Sequence, residues 1–198
     1  MKTKALILAM LLIISTALFA GCSNITPAAT TKAPAATTAA GATTAKATTV
    51  DANAAASIVS DAAAFEKAIG PNGKWIICTT KDLTVTKELT LAGEFINGKK
   101  DAAGKDIIQR KIGLYTQDAD RKVTARFTLT IPKLTITSPN ASIEYGTVVG
   151  DLYISVNAFK LVDAKVTGNV YFTKQEYKDS FVKDATSTIS GKTEVKTN

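Results

Sequence analysis

A chain of 198 residues with 45% hydrophobic content is long enough for one folded domain with a core of its own. Lys and Arg number 24 against 17 Asp and Glu, a formal charge of +7 spread along the chain without a basic cluster, so no nucleic-acid partner is expected. Histidine is absent, which excludes Ser-His-Asp and Cys-His catalysis and the usual His-containing zinc sites.

The chain begins with a short positive start, Lys2 and Lys4, followed by an uncharged apolar run of fifteen residues from Ala5 to Phe19. Such a run suits the core of a signal peptide and falls short of the about 20 residues a transmembrane helix needs. It ends in Leu18-Phe19-Ala20-Gly21-Cys22, which resembles the bacterial lipoprotein box. The resemblance implies that residues 1–21 are removed and that the Cys22 thiol receives a diacylglyceryl group. It further implies a lipid-anchored protein on a bacterial cell membrane, facing outward into the extracellular space or periplasm. Small residues at Ala20 and Gly21 leave room for cleavage before Cys22. Each buried CH₂ contributes about 0.8 kcal/mol, so two or three acyl chains anchor stably where one does not. The rival reading is an ordinary secretory signal with a chance Cys. Removal of residues 1–21 lowers Lys plus Arg from 24 to 22 against 17 acids, leaving +5.

Residues 22–57 are nearly all Ala and Thr with scattered Lys and Pro. With almost no large apolar side chain they cannot offset their ordering entropy, and a disordered tether is expected. Its threonines, with Pro27 and Pro34, argue against an Ala-rich helix. About 35 residues reach on the order of 115 Å when extended. The remaining residues, 58–198, form the expected domain.

That domain opens with "SDAAAFEKAIG" at Ser60–Gly70, a short helix capped by Ser60 or Asp61 with Phe65 and Ile69 on one face. Gly70-Pro71-Asn72-Gly73 stops it, and it is placed to cover the first open sheet edge. Trp75 is expected to pack beneath it. Cys78, left alone once Cys22 is acylated, reads as a small buried hydrophobe in a strand.

The architecture comes from a repeat. "VVGDLYIS" at Val148–Ser155 and "VTGNVYFT" at Val166–Thr173 align at a step of eighteen residues, and "TIPKLTIT" at Thr130–Thr137 falls into register one step earlier. "SGKTEVKT" at Ser190–Thr197 follows after five extra residues held in the polar stretch "KQEYKDSF". Each copy alternates apolar and polar, as a strand with one buried face does. Earlier triplets, Leu83-Thr84-Val85, Leu89-Thr90-Leu91 and Leu129-Thr130-Ile131, carry the same alternation. Short strands at this spacing predict a mostly β protein, a parallel β-solenoid with a short N-terminal capping helix. Leu134, Leu152 and Val170 should form one interior column and Ile136, Ile154 and Phe172 another, with Gly150, Gly168 and Gly191 at corners. An antiparallel sandwich of two similar hairpins is the competing arrangement.

The glycine-punctuated stretch from Ile143 to Phe172 resembles bactofilins, polymer-forming proteins with right-handed β-helix cores, and pectate-lyase-like β-helices match it about as well. The resemblance implies a right-handed coil and, from the bactofilin side, self-association. The irregular region Trp75–Arg126 departs from it.

Function should lie on the outward columns. Thr135, Tyr153 and Tyr171 stack on one face, where tyrosine rings could receive sugar rings, and the neighbouring column reads Lys133, Asp151, Asn169 and Lys192. Tyr153, Tyr171, Asp151 and Asn169 are therefore the candidate ligand-binding residues, with a stiffening ladder as the alternative. Asp118 and Asp120, beside Arg121 in "YTQDADRK", are too few for a calcium cage, no spacing among the seventeen acids selects the pair that a paired-carboxylate hydrolase needs, and "DADR" reads as a charged turn. No catalytic residue, metal or cofactor is assigned. The expected function is a non-catalytic structural or adhesive module of the cell envelope, with carbohydrate binding as the alternative and a small polysaccharide lyase behind both. The membrane, a polysaccharide and further copies of the chain are the expected partners.

Overall fold

The structure, a computed structural model, describes residues 56–197. The expected signal peptide, Cys22 and nearly all of the tether lie outside the described residues. The first strand, β1 (Ala56–Val59), starts two residues inside the expected tether, because Ala56 and Val59 already point into the core.

Parallel strands stack into two facing sheets. Sheet A runs in the order β1, β2 (Ile76–Thr79), β7 (Lys111–Gly113), β11 (Ser142–Glu144), β13 (Lys160–Val162) and β16 (Val182–Lys183). In sheet B, β10 (Thr128–Ile136) pairs with β3 (Leu83–Thr84) and β4 (Leu89–Leu91) on one side and with β12 (Thr147–Ile154) on the other. Beyond β12 come β14 (Lys165–Thr167) and β15 (Val170–Phe172), then β17 (Thr188–Ile189) and β18 (Thr193–Val195). The chain passes from one sheet to the other and back, so each coil lays its strands on those of the coil before. This is the β-solenoid expected from the repeat.

The registers match the expected columns. Leu134 pairs with Leu152 and Leu152 with Val170, while Ile136, Ile154 and Phe172 form the adjacent column, all fully buried. Leu89 and Leu91 extend these columns backward, and Thr193 and Val195 extend them forward. Ile77, Ile112, Ile143 and Leu161 face them from sheet A. Full burial of each such side chain contributes about 1.5–3 kcal/mol, and no single coil could assemble this core alone. The five extra residues before β18 accommodate a short helix, α2 (Gln175–Asp179), where the sequence reads as a polar loop.

The N-terminal helix, α1 (Ala62–Ile69), is capped by Asp61, whose Oδ1 accepts from the Ala64 amide at 2.8 Å. It buries Phe65, Ala68 and Ile69 against β1, β2 and β4, and so covers the end of sheet B at β4. Its C-terminal carbonyls meet Arg110, a fully buried side chain that donates to the carbonyl oxygens of Ala68, Ile69, Gly70, Lys74 and Ala92 at 2.6–3.3 Å. The guanidinium also lies 4.2 Å from the Phe95 ring centre.

The irregular region Trp75–Arg126 contains two antiparallel hairpins inserted between coils. One joins β5 (Ile96–Lys100) to β6 (Asp106–Ile108), the other β8 (Tyr115–Gln117) to β9 (Val123–Arg126). Their tips are copies of each other, "DAAGK" and "DADRK". In each, the Asp Oδ1 accepts two tip amides, from Ala103 and Lys105 for Asp101 and from Asp120 and Lys122 for Asp118, at 2.8–3.0 Å. The fourth residue, Gly104 or Arg121, has a positive φ of 78° or 64°. A type I turn followed by a left-handed residue closes both. "DADR" is thus the charged turn that the sequence implies, and Asp118 is engaged in holding it.

Candidate functional site

The expected tyrosine face exists on the outside of sheet B, but it is closed on itself. Thr135, Tyr153, Tyr171 and Glu194 stand in one outward column. The Tyr153 and Tyr171 ring centres are 4.9 Å apart and tilted by 47°, so the rings pack on each other. The Lys133 ammonium lies 4.9 Å from the Tyr153 ring, and Lys196 lies 4.7 Å from Tyr171 and 5.7 Å from Tyr153. Lys196 also donates to the Tyr153 hydroxyl at 3.4 Å, and that bond raises its pKa. Lys196 belongs to the copy Ser190–Thr197, two residues beyond Glu194 in the column, and was not among the residues expected to form this face.

The neighbouring column is a hydrogen-bond ladder. Asp151 Oδ1 accepts from the Asn169 amide at 2.8 Å and from its Nδ2 at 3.0 Å, and Asn169 Oδ1 accepts from the Lys192 amide at 2.9 Å. Each side chain satisfies a backbone donor of the next coil at the corner where the glycine column turns. Lys133 sits opposite Asp151 in register, yet its ammonium pairs with Glu88 at 3.1 Å. Asn169→Ala removes one rung and leaves the Lys192 amide without its partner, while the residue 169 amide still donates to Asp151, so we expect a loss of about 1 kcal/mol. Chemical denaturation checks this, with an unchanged midpoint as the contrary result.

A second arrangement, on the outer face of sheet A, gathers residues that no single sequence motif connects. Between the buried Ile77, Ile112 and Ile143, the strands turn outward Ile76, Lys111 and Ser142 in one column and Cys78, Gly113 and Glu144 in the next. Gly113 leaves a dent that the Tyr115 ring fills: a Cβ there would lie 3.0 Å from Tyr115 Cε1 and 3.3 Å from Cys78 Sγ. Lys111 pairs with Glu144 at 3.2 Å, and the Ser142 hydroxyl donates to the other Glu144 oxygen at 2.9 Å. Both partners of the ion pair are largely buried, with side chains 18% and 16% exposed.

Electrostatics fix the protonation of this floor. Burial works against the Lys111 charge, but Glu144, with Tyr115 and Cys78, outweighs it and lifts the pKa above the usual lysine value. Burial raises the Cys78 thiol, with Lys111 opposing and Glu144 assisting. Burial likewise raises the Tyr115 phenol. At neutral pH the floor therefore holds a charged lysine, a protonated thiol and a protonated phenol. None of these three is poised as a base or nucleophile.

The two hairpins stand over this floor and make a cleft of about 790 Å³, a size typical of ligand sites. Trp75, Tyr115 and Tyr145 supply aromatic surface, with Tyr115 and Tyr145 edge to face at 4.7 Å. Asn97 and Lys99 come from the first hairpin, Gln117 and Arg121 from the second. Trp75, expected beneath the helix, is half-buried in the cleft wall and lies outside the core that holds Phe65 and Ile69. This site went unrecognised in the sequence, and the signal that could have found it is the pair of similar tips seventeen residues apart.

Comparison with protein-family models, curated proteins and solved structures finds no match for the chain.

Proposed function

We propose that the protein is a lipid-anchored, non-catalytic adhesive module of the bacterial cell envelope, and that its solenoid holds a carbohydrate-binding cleft out from the membrane. The observation that carries this reading is the hairpin-walled cleft itself. Three aromatic side chains, Trp75, Tyr115 and Tyr145, share it with amide and charged groups. Aromatic rings offer sugars a flat apolar face, and side-chain amides and charges satisfy hydroxyl groups around it. Ring pairing does not separate the cleft from the tyrosine strip of sheet B, since Tyr115 and Tyr145 pack edge to face and cations lie over Trp75 and Tyr145 as well; the cleft is favoured by the amide and charged groups that wall it.

Retention of the detergent-solubilised full-length protein on a panel of insoluble cell-wall and plant polysaccharides tests this assignment. Trp75→Ala/Tyr145→Ala is expected to lose at least about tenfold in retention, while Tyr153→Ala/Tyr171→Ala binds as the parent does. The reverse pattern would assign the contact to the tyrosine strip, and no retention on any polymer would leave the solenoid as a scaffold. The anchor is tested separately: Cys22→Ala should abolish incorporation of labelled palmitate, and a labelled variant would remove the lipoprotein assignment.

A further inference from the structure

The charges of the cleft do not cancel. Lys111 and Glu144 neutralise each other, and both Glu144 oxygens already accept hydrogen bonds. The cations left on the walls are Lys99 and Arg121, whose side chains make no hydrogen bond or ion pair with any described residue. Arg121 offers five N–H donors in a planar fork, the geometry that matches a carboxylate.

The position of Arg121 is itself informative. It occupies the left-handed residue of its hairpin tip, at φ 64°, where the twin tip has Gly104 at φ 78°. Glycine adopts this conformation freely and arginine does not. Glycine closes the twin tip, although Asn140, Tyr145, Ala158 and Asp163 also take a positive φ in this chain. The second hairpin instead bears backbone strain and in return sets a guanidinium at the cleft.

Resting on the sugar-binding reading of the cleft, we infer that its ligand is an acidic sugar, with the carboxylate held by Arg121 and Lys99 and the ring lying among Trp75, Tyr115 and Tyr145. The net positive charge of the walls draws the acidic polymer in, and the guanidinium fork sets its orientation.

The test uses detergent-solubilised full-length protein and a panel of uronate polymers, each beside its carboxyl-reduced form. The parent is expected to bind the acidic forms about tenfold more tightly than the reduced ones, a preference that weakens with added salt. Arg121→Gly copies the twin tip, so it should melt at the same temperature or higher while losing the preference. Lys99→Gln should reduce it in part. Equal retention on both forms, or a preference that survives Arg121→Gly, overturns the inference and leaves the sugar reading standing. Retention on neither form overturns both.

Discussion

Replacing Arg110 with methionine is expected to lower the unfolding temperature by about 10–15 °C, corresponding to about 3–5 kcal/mol. The side chain is fully buried, and five carbonyl oxygens converge on it from α1, from the turn after it and from the segment that ends β4. Three of those carbonyls, of Ala68, Ile69 and Gly70, belong to the C-terminal end of the helix, where the helix dipole favours a cation. Burial brings the guanidinium pKa down to about 10, which leaves it charged at neutral pH. Methionine fills much of the volume but strands the buried Ala68 and Ile69 carbonyls, each at about 1–3 kcal/mol before relaxation, whereas the Gly70 carbonyl keeps the Gly73 amide. Lysine should not rescue the fold, since a single ammonium cannot span acceptors arranged around a plane. Thermal melts of parent, Arg110→Met and Arg110→Lys decide the matter, and a fall below about 3 °C would show that water replaces the arginine.

Gly150→Ala is expected to cost more, enough to prevent accumulation of folded protein. Gly150 has a φ of 139°, and a Cβ there would lie 1.7 Å from the carbonyl oxygen of Ile131 in the coil below. The obstacle is main chain at the irregular corner between Thr130 and Lys133, with paired ladder on both sides of it, so relief requires one coil to shift on another. Gly168 repeats the conflict with the Gly150 carbonyl at 2.1 Å, and Gly191 with that of Gly168 at 2.4 Å. Gly191 belongs to the last described coil and is exposed, so its neighbour can yield. Folded yield and protease resistance should therefore fall in the order Gly191→Ala, Gly168→Ala, Gly150→Ala. Gly104→Ala is the control, with nothing within 4 Å of its Cβ and only left-handed strain of about 1–2 kcal/mol. Equal yields for Gly150→Ala and Gly104→Ala would mean that the corner backbone is not held as described.

The parts of the fold that were legible in the sequence are those in which contact depends on a fixed step along the chain. Leu134, Leu152 and Val170 stand in register because each coil between them has eighteen residues, and their alternation declares which face is buried. The capping helix was equally plain, since Asp61, Phe65 and Ile69 lie within nine residues. Legibility failed where insertions change the step. From Ile77 to Ile112 the interval is 35 residues, and from Leu89 to Leu134 it is 45, because hairpins intervene. The paired strands of a hairpin carry no solenoid period, and only the Asp-to-Lys tips betray them. The cleft inherits this difficulty: its aromatic and charged residues come from hairpins and coils whose adjacency follows from the insertions. Arg110 escaped notice for a similar reason, since its acceptors in α1 precede it by 40 to 42 residues.

Trp75 is the single tryptophan of the chain and lines the cleft, so its fluorescence reports on that site alone. The most direct measurement is a titration of the full-length protein with soluble oligosaccharides cut from whichever polymer retains it, following Trp75 emission. A saturable change that persists in Tyr153→Ala/Tyr171→Ala and disappears in Tyr145→Ala is the expected result. Emission that stays constant while the protein is held on the polymer would contradict the assignment of the cleft as the sugar-binding site.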